Sequence, residues 1–206
     1  MSRSEKLEAD FMRLFVALDI DDTIRRRITR FLDDMREFAP EARWVRPASL
    51  HLTLKFIGES SDEEAEKIKQ TLGAISAASL EMNFGGCGFF PDARAPRVFW
   101  IGIQADSELA ALAATIDERL SSRNIPKEQH AFSPHLTLAR GSRGSGSPRW
   151  RKGDGSNRAF QRLQEKLAVL PAPEFGTMTS REFFLYESQL FPGGSKYTKL
   201  AKFGLR

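Results

Sequence analysis

Apolar residues recur along the chain at two spacings, one typical of strands and one typical of helices. Short apolar runs at residues 15–17 and 99–101 predict strands. Apolar positions three and four residues apart predict helices, because that spacing puts them on one helix face. The first predicted helix carries Ile24, Ile28, Phe31, Leu32, Met35 and Phe38, and the second carries Leu109, Leu112, Ile116 and Leu120. Two more helices are predicted at 61–75, which begins like a capping box, and at 160–170.

A four-residue sequence occurs twice and relates the two halves of the chain. His51-Leu52-Thr53-Leu54 recurs as His135-Leu136-Thr137-Leu138, 84 residues later, and the same offset carries residues 15–17 onto 99–101. Each half therefore runs strand, helix, strand, with the repeated sequence on its second strand. Further strands are predicted at 82–84, 181–187 and 197–203, and the crossing between the halves is marked by Gly85, Gly86, Gly88, Pro91 and Pro96.

These elements predict an α+β protein. We expect residues 1–206 to form a single bilobal domain with two pseudo-symmetric, duplicated lobes, each a small antiparallel sheet backed by helices. The cleft between the lobes is the expected active site, because both copies of the repeated sequence can face each other there.

The repeated sequence is suited to acid–base chemistry. Side chains alternate between the faces of a strand, so His51 and Thr53 share one face, as do His135 and Thr137, while the leucines anchor the other. A neutral histidine can deprotonate an attacking water and a cationic one can protonate a leaving oxygen. Threonine hydroxyls can donate hydrogen bonds to phosphate oxygens. The pair therefore predicts a metal-free phosphoesterase site.

Composition narrows the class of protein. Hydrophobic residues make up 41% and charged residues 28%, as in globular proteins, and the apolar run at 14–18 is too short for a membrane span or a signal peptide. The single cysteine, Cys87, excludes an internal disulfide, fits a reducing cytoplasm and is expected to be a small buried hydrophobe. No metal or other cofactor is expected, because the three histidines lack a short ligand spacing. Serine nucleophile chemistry is unsupported without a Gly-x-Ser-x-Gly sequence.

The charge of the chain bears on the kind of molecule that it binds. The net charge of +4 weakly favours a polyanionic partner. The glycine-, serine- and arginine-rich segment 141–157 predicts a flexible loop, which is either a phosphate contact or a solvated connector. The third histidine, His130, is expected in a loop with a surface or packing role.

The repeated sequences resemble the paired H-x-T-x signatures of the 2H phosphoesterases. More of the chain shares the likeness: Trp44-Val45-Arg46-Pro47, residues 50–58 and residues 132–140 resemble the bacterial and archaeal RNA 2′,3′-cyclic phosphodiesterases of the LigT or ThpR type, historically called 2′-5′ RNA ligases. Residues 13–17 and 197–205 are similar to that group as well, so the resemblance covers essentially the whole chain.

The resemblance implies hydrolysis of an RNA or nucleotide 2′,3′-cyclic phosphate to a 2′-phosphate, without a metal. It implies that His51 is the acid for the leaving 3′ oxygen and His135 the base for water. It also implies that Thr53 and Thr137 hold the phosphate, that Arg140 lies near it, and that Phe56 stacks on a base.

Phe56 and Arg140 conflict with strict alternation, which sends both to the leucine face of their strands. Each strand must therefore end or bulge just after its second leucine if the two side chains are to enter the cleft. Core packing is the alternative for both residues.

Two other functions are compatible with the sequence. The same site could join RNA ends through 2′-5′ linkages, or the protein could be a non-catalytic RNA- or nucleotide-binding module. We expect RNA or nucleotide cyclic phosphates as partners, no membrane association, a cytoplasmic setting and a monomer.

Overall fold

The computed structural model describes residues 11–141, 160–191 and 194–206, so nearly all of the basic segment 141–157 lies outside the described residues. Within these ranges the chain forms four α-helices, α1 (Asp22–Met35), α2 (Asp62–Gly73), α3 (Ser107–Ser121) and α4 (Gln161–Ala168). It also forms nine strands, β1 (Met12–Asp19), β2 (Arg43–Trp44), β3 (His51–Ser60), β4 (Leu80–Phe90), β5 (Val98–Ala105), β6 (His135–Arg140), β7 (Glu174–Ser180), β8 (Glu182–Phe191) and β9 (Gly194–Gly204).

The strands form two antiparallel sheets. The first sheet has the order β3-β1-β8-β9 and the second has the order β2-β6-β5-β4-β7. Each copy of the repeated sequence opens one strand, β3 in the first sheet and β6 in the second. The predicted α+β fold with two small antiparallel sheets and helices is confirmed.

The four predicted helices are present, and their ends follow the capping rules. The Asp21 carboxylate accepts a hydrogen bond from the Ile24 amide at 2.7 Å and so caps α1. Ser61 and Glu64 form the reciprocal capping box of α2. The apolar positions expected on one face of α1 are the buried ones: Ile24, Ile28, Leu32 and Met35.

Helices α1 and α3 each pack against the sheet that does not contain the strand before them. Helix α1 follows β1 of the first sheet, yet the Phe31 ring packs on Phe175 of the second sheet at 5.4 Å. Helix α3 follows β5 of the second sheet, yet Asp117 pairs with Lys55 of the first sheet at 2.5 Å. Apolar side chains from both sheets consequently share one continuous core. Periodicity predicts the buried face of a helix but not the sheet that covers it.

The glycines expected to mark a crossing lie inside a strand. Gly85, Gly86 and Gly88 belong to β4, which has a bulge between Gly85 and Cys87. A side chain at Gly88 would overlap the Trp100 ring, so the small residue makes room for an indole and is not a chain break. The short strand β2 and the strand β7 were not predicted.

The predicted equivalence of Phe15 and Phe99 is wrong by one residue. Val16 pairs with Lys55, and Phe99 pairs with Ala139, which is 84 residues after Lys55. Val16 is therefore the structural counterpart of Phe99, at an offset of 83. A shift of one residue exchanges the two faces of a strand, so Phe15 belongs to a small separate cluster while Phe99 lies in the main core.

No helix among the described residues is both long enough and apolar enough to cross a membrane.

Candidate active site

The two repeated sequences lie on neighbouring strands from different sheets. Cα atoms of β3 and β6 approach within 8 Å of each other. On both strands the leucines are buried, whereas His51, Thr53, His135 and Thr137 are half-buried on the opposite face. The alternation predicted from the sequence is confirmed, and the cleft brings the two histidines close enough for the charge of His135 to affect the pKa of His51.

Both imidazoles are oriented by the same hydrogen bond. His51 Nδ1 lies 2.8 Å from the Ser49 carbonyl oxygen, and His135 Nδ1 lies 2.7 Å from the Ser133 carbonyl oxygen. A carbonyl oxygen can only accept, so Nδ1 donates in both rings. Nε2, which has no hydrogen-bond partner among the described residues, then carries a lone pair in the neutral ring and a proton in the cation. Either ring can therefore act as base or acid through Nε2.

The pKa values of both histidines are lowered, and burial is the largest cause. The hydrogen bonds to Ser49 and Ser133 oppose this effect, while the positive charge of Arg140 adds to the lowering at both rings. The two rings differ in one respect. The Asp19 carboxylate raises the pKa of His51, and no carboxylate of the described residues acts in this way on His135.

A bulge occurs at the second leucine of each strand, as the position of Phe56 and Arg140 required. The ladder between β1 and β3 skips Leu54, and the ladder between β5 and β6 skips Leu138. The next residue of each strand is buried, and the one after it is exposed. Phe56 is 62% exposed and Arg140 is exposed, so neither packs into the core.

Asp19 is the ladder partner of His51 at the end of β1. Its carboxylate accepts a hydrogen bond from the Tyr186 hydroxyl and pairs with Lys199 Nζ at 2.5 Å. Burial and the neighbouring Asp19 raise the pKa of Tyr186, so the phenol stays a neutral donor. The equivalent partner of His135 is Gly102, which has no side chain. The two histidines therefore have similar backbone anchors but different cross-strand neighbours.

Aromatic rings enclose each imidazole on one side. The Phe15 ring centre lies 4.8 Å from that of His51, and the Tyr197 ring meets His51 edge-on at 5.0 Å. The Phe90 ring meets His135 edge-on at 4.9 Å. Phe56 extends the first group outward, with its ring centre 6.2 Å from Phe15. These contacts explain why burial dominates the pKa of both histidines.

Several site residues were missed by sequence reasoning. Ser49 and Ser133 could have been found, because they precede the two histidines at the same offset of 84 residues. Asp19 and Tyr186 could not, because their position beside His51 depends on cross-strand register. Tyr197 was placed in a predicted strand but not in the site.

The other candidates from the sequence are His130, Cys87 and a possible metal site. His130 is exposed in the loop before β6, as predicted. Cys87 is half-buried against the core, and burial raises the pKa of its thiol. Among the described residues, no group of three or more His, Cys, Asp or Glu side chains is arranged to hold a metal ion.

Both halves of the chain are similar in sequence to known proteins. A family model described as LigT like Phosphoesterase matches twice, at residues 18–100 and 101–197. An Archaeoglobus fulgidus protein named RNA 2′,3′-cyclic phosphodiesterase is 32% identical over 192 residues, which cover 93% of this chain and 99% of the relative. A Thermus thermophilus protein with the same name is 32% identical and matches 95% of this chain and 91% of its own.

Solved structures have the same fold. Escherichia coli LigT complexed with 3′-AMP superposes with a TM-score of 0.74 at 27% identity, covering 95% of this chain and 99% of that one. A solved structure from Thermus thermophilus superposes with a TM-score of 0.73 at 29% identity, covering 95% of this chain and 98% of that one. With the family model matching both halves and relatives matching nearly end to end, the chain belongs to the LigT-like phosphoesterases of the 2H type.

Proposed function

We propose that this protein is an RNA 2′,3′-cyclic phosphodiesterase, which hydrolyses a terminal 2′,3′-cyclic phosphate to a 2′-phosphate. The observation that carries this function is the pair of imidazoles whose Nδ1 atoms are held by the Ser49 and Ser133 carbonyl oxygens. Each ring presents Nε2 for proton transfer, and each has a threonine two residues along the same strand face. The names of the relatives supply the substrate class.

The reaction needs one proton removed and one proton delivered. His135, as the neutral base, takes a proton from water, whose oxygen forms a bond to phosphorus. The bond from phosphorus to the 3′ oxygen breaks, and His51, as the cation, donates its proton to that oxygen. Thr53 and Thr137 donate hydrogen bonds to the non-bridging oxygens, where negative charge develops. Arg140 supplies positive charge to the same phosphate.

The cross-strand neighbours support this division of roles. Asp19 places a negative charge beside His51, which favours the cation that an acid requires. His135 lies opposite Gly102 and has no such carboxylate beside it among the described residues, which favours the neutral ring that a base requires. The 3′ oxygen is consequently the leaving group when it lies on the His51 side of the phosphate.

Phe56 is proposed as the platform for the terminal base. Its ring is exposed, lies beyond the bulge of β3 and is continuous with Phe15 beside His51. Stacking on an aromatic ring is tolerant of base identity. The site is therefore expected to accept more than one terminal nucleotide.

Turnover of a nucleoside 2′,3′-cyclic phosphate, followed by assignment of the product phosphate by ³¹P NMR, tests the proposal. We expect nucleoside 2′-phosphate, formed equally well with and without a chelator. A 3′-phosphate product would contradict the roles given to His51 and His135. Loss of activity in chelator that a divalent metal restores would contradict the two-histidine mechanism.

The same substrate distinguishes the alternatives. An oligonucleotide ending in a cyclic phosphate is incubated with and without a second oligonucleotide that carries a 5′-hydroxyl. Predominant joining would identify a 2′-5′ ligase. RNA binding without turnover, unchanged in His51→Ala and His135→Ala proteins, would identify a binding module.

We also propose that residues 1–206 act as one bilobal domain and as a monomer in the cytoplasm. The continuous core and the exchange of α1 and α3 between the sheets support a single folding unit. A cleft built from strands of one chain supports the monomer. We expect sedimentation to give the mass of one chain, and unfolding to be a single cooperative transition.

A further inference from the structure

Two arginines lie side by side at the edge of the second sheet. Arg43 of β2 is the ladder partner of Arg140 of β6, and residues directly opposite in a sheet share a face. Both side chains are exposed. Among the described residues, neither arginine forms a salt bridge or a side-chain hydrogen bond. Like charges directly opposite each other destabilise a sheet, so this pair is a cost to the protein unless an anion lies between them.

Arg140 places this pair next to the catalytic cleft. Its charge lowers the pKa of both His51 and His135, so it lies within electrostatic range of both rings. β2 is the outermost strand of the second sheet, one strand beyond β6. Neighbouring strands are about 4.8 Å apart, so Arg43 lies one strand spacing further from the cleft than Arg140.

The side chain of Arg43 contributes little to holding its own strand. The next residue, Trp44, packs its ring against Phe99 at 6.0 Å, and its indole N–H donates to the Ala39 carbonyl oxygen at 2.9 Å. The Val45 amide donates to the Leu138 carbonyl oxygen at 2.8 Å. These contacts anchor β2 through Trp44 and Val45, which leaves the Arg43 side chain free for another role.

We propose that Arg43 binds the phosphodiester that joins the terminal nucleotide to the rest of an RNA strand, with Arg140 between that phosphate and the cyclic one. The inference rests on the proposed function and extends it to substrate choice. A mononucleotide 2′,3′-cyclic phosphate has no second phosphate, whereas an RNA end has one. Arginine suits this role because its planar group can donate two parallel hydrogen bonds to phosphate oxygens. Arg43 therefore makes the enzyme prefer RNA ends to mononucleotides.

Arg43→Gln tests the proposal with two substrates, a mononucleotide 2′,3′-cyclic phosphate and a trinucleotide with the same end. We expect kcat/KM for the mononucleotide to stay within about twofold of the parent. For the trinucleotide we expect KM to rise about tenfold with kcat nearly unchanged, the usual effect of losing one charge-assisted contact. The slope of log KM against log salt for the trinucleotide should fall by about 0.7, the value for one phosphate contact on a single strand.

Arg97→Gln is the matched control. Arg97 is exposed and lies at the same end of the strands as Arg140, where its carbonyl oxygen accepts a hydrogen bond from the Gly141 amide at 2.8 Å. It immediately precedes Val98, the β5 partner of Arg140, so alternation places its side chain on the other face. We expect both substrates to be turned over as by the parent.

The outcomes separate this inference from the proposed function. Equal loss on both substrates, or no loss on the trinucleotide, would overturn the role of Arg43. If the parent turns over neither substrate, the proposed function has failed, and equilibrium binding of the same two compounds decides about Arg43. Weaker binding confined to the trinucleotide would support it, and unchanged binding of both would refute it.

Discussion

On the first sheet His51 lies opposite Asp19, whereas on the second sheet His135 lies opposite Gly102. The two strands otherwise correspond closely: each has a serine carbonyl oxygen holding Nδ1, a threonine two residues on, and a bulge at the second leucine. Duplication explains these shared parts. The residue across the ladder from each histidine is not shared, and this difference can give two identical imidazoles opposite roles.

Two neighbouring side chains hold the Asp19 carboxylate in place beside His51. Tyr186 donates a hydrogen bond to one carboxylate oxygen and Lys199 pairs with the other at 2.5 Å. On the second sheet the counterpart of Ala17 is Trp100, whose ring occupies the space above Gly88. The first sheet thus supplies charge to its histidine, and the second sheet supplies an apolar wall.

Removing either histidine is expected to have the largest effect. His51→Ala and His135→Ala should each lower kcat by about 10³-fold, because each loses one proton-transfer group. A cyclic substrate with sulfur in place of the 3′ oxygen separates them, since a thiolate leaves without being protonated. We expect this substrate to restore much of the activity of His51→Ala and none of that of His135→Ala.

His130→Ala is the control for these variants, because His130 is exposed in the loop before β6, and it should behave as the parent. Restoration of His135→Ala instead of His51→Ala would reverse the assignment of acid and base.

Variants of the two threonines test whether Thr53 and Thr137 contribute equally to holding the phosphate. Thr53→Val and Thr137→Val keep the shape of the side chain and remove the hydroxyl, and each should lower kcat by about 10²-fold through loss of a donor to the phosphate. Thr→Ser variants at both positions should retain most activity. Steady-state kinetics of the four proteins is the measurement. A large loss at only one threonine would show that the phosphate is held mainly by one lobe.

Asp19→Asn tests the difference between the cross-strand neighbours of His51 and His135. Removing the carboxylate should lower the pKa of His51 further, because Asp19 is a charge that raises it. If His51 is the acid, its protonated fraction then falls as pH rises, so the ratio of variant to parent kcat/KM should decline from near one at low pH to about one tenth at high pH. If His51 were the base, the ratio would instead exceed one at low pH.

Imidazole NMR titration supplies the readout that a structural defect would not give. The chain has three histidines, so the resonances are few. Asp19→Asn should move the titration of His51 to lower pH and leave that of His135 in place. Glu187→Gln, which changes a charge on the strand that carries Tyr186, is the control and should move neither. Equal movement of both histidines would mean that the asymmetry does not originate at Asp19.

Local periodicity predicted the parts of the site that depend on one strand. Alternation placed His51 with Thr53. For Phe56 to enter the cleft the strand had to end or bulge after Leu54, and the ladder contains a bulge at Leu54. Register across strands could not be read in this way. Phe15 and Phe99 match in residue type at an offset of 84. The ladders, however, pair Val16 with Lys55 and Phe99 with Ala139, so Val16 is the counterpart of Phe99. Phe15 therefore lies on the opposite face of its strand from the one that the repeat predicted.

The same limit applies to larger distances. The apolar face of α1 was predicted from spacing, but its contact with Phe175 joins residues far apart in the chain, on a strand that was not predicted. Asp19 ends a predicted strand as an ordinary acidic residue, and only the pairing of β1 with β3 brings it to His51. Chemistry that depends on one residue type at one spacing is therefore visible in the sequence, and chemistry that depends on pairing is not.

The smallest effect is expected at the position where the two strands differ after their bulges. Phe56 and Arg140 occupy equivalent places, one as a stacking surface and the other as a charge. Phe56→Ala should raise KM about tenfold for a nucleoside 2′,3′-cyclic phosphate and leave kcat nearly unchanged, because stacking contributes about 1–3 kcal/mol per base. With an abasic ribose 2′,3′-cyclic phosphate, the parent and Phe56→Ala should have the same KM.

Phe11→Ala is the control, because Phe11 is another exposed phenylalanine that lies outside the group of rings around His51, and it should leave the KM of both substrates unchanged. An equal rise in KM for the abasic compound would show that Phe56 shapes the cleft around the phosphate, and would contradict its role as the stacking surface for the terminal base.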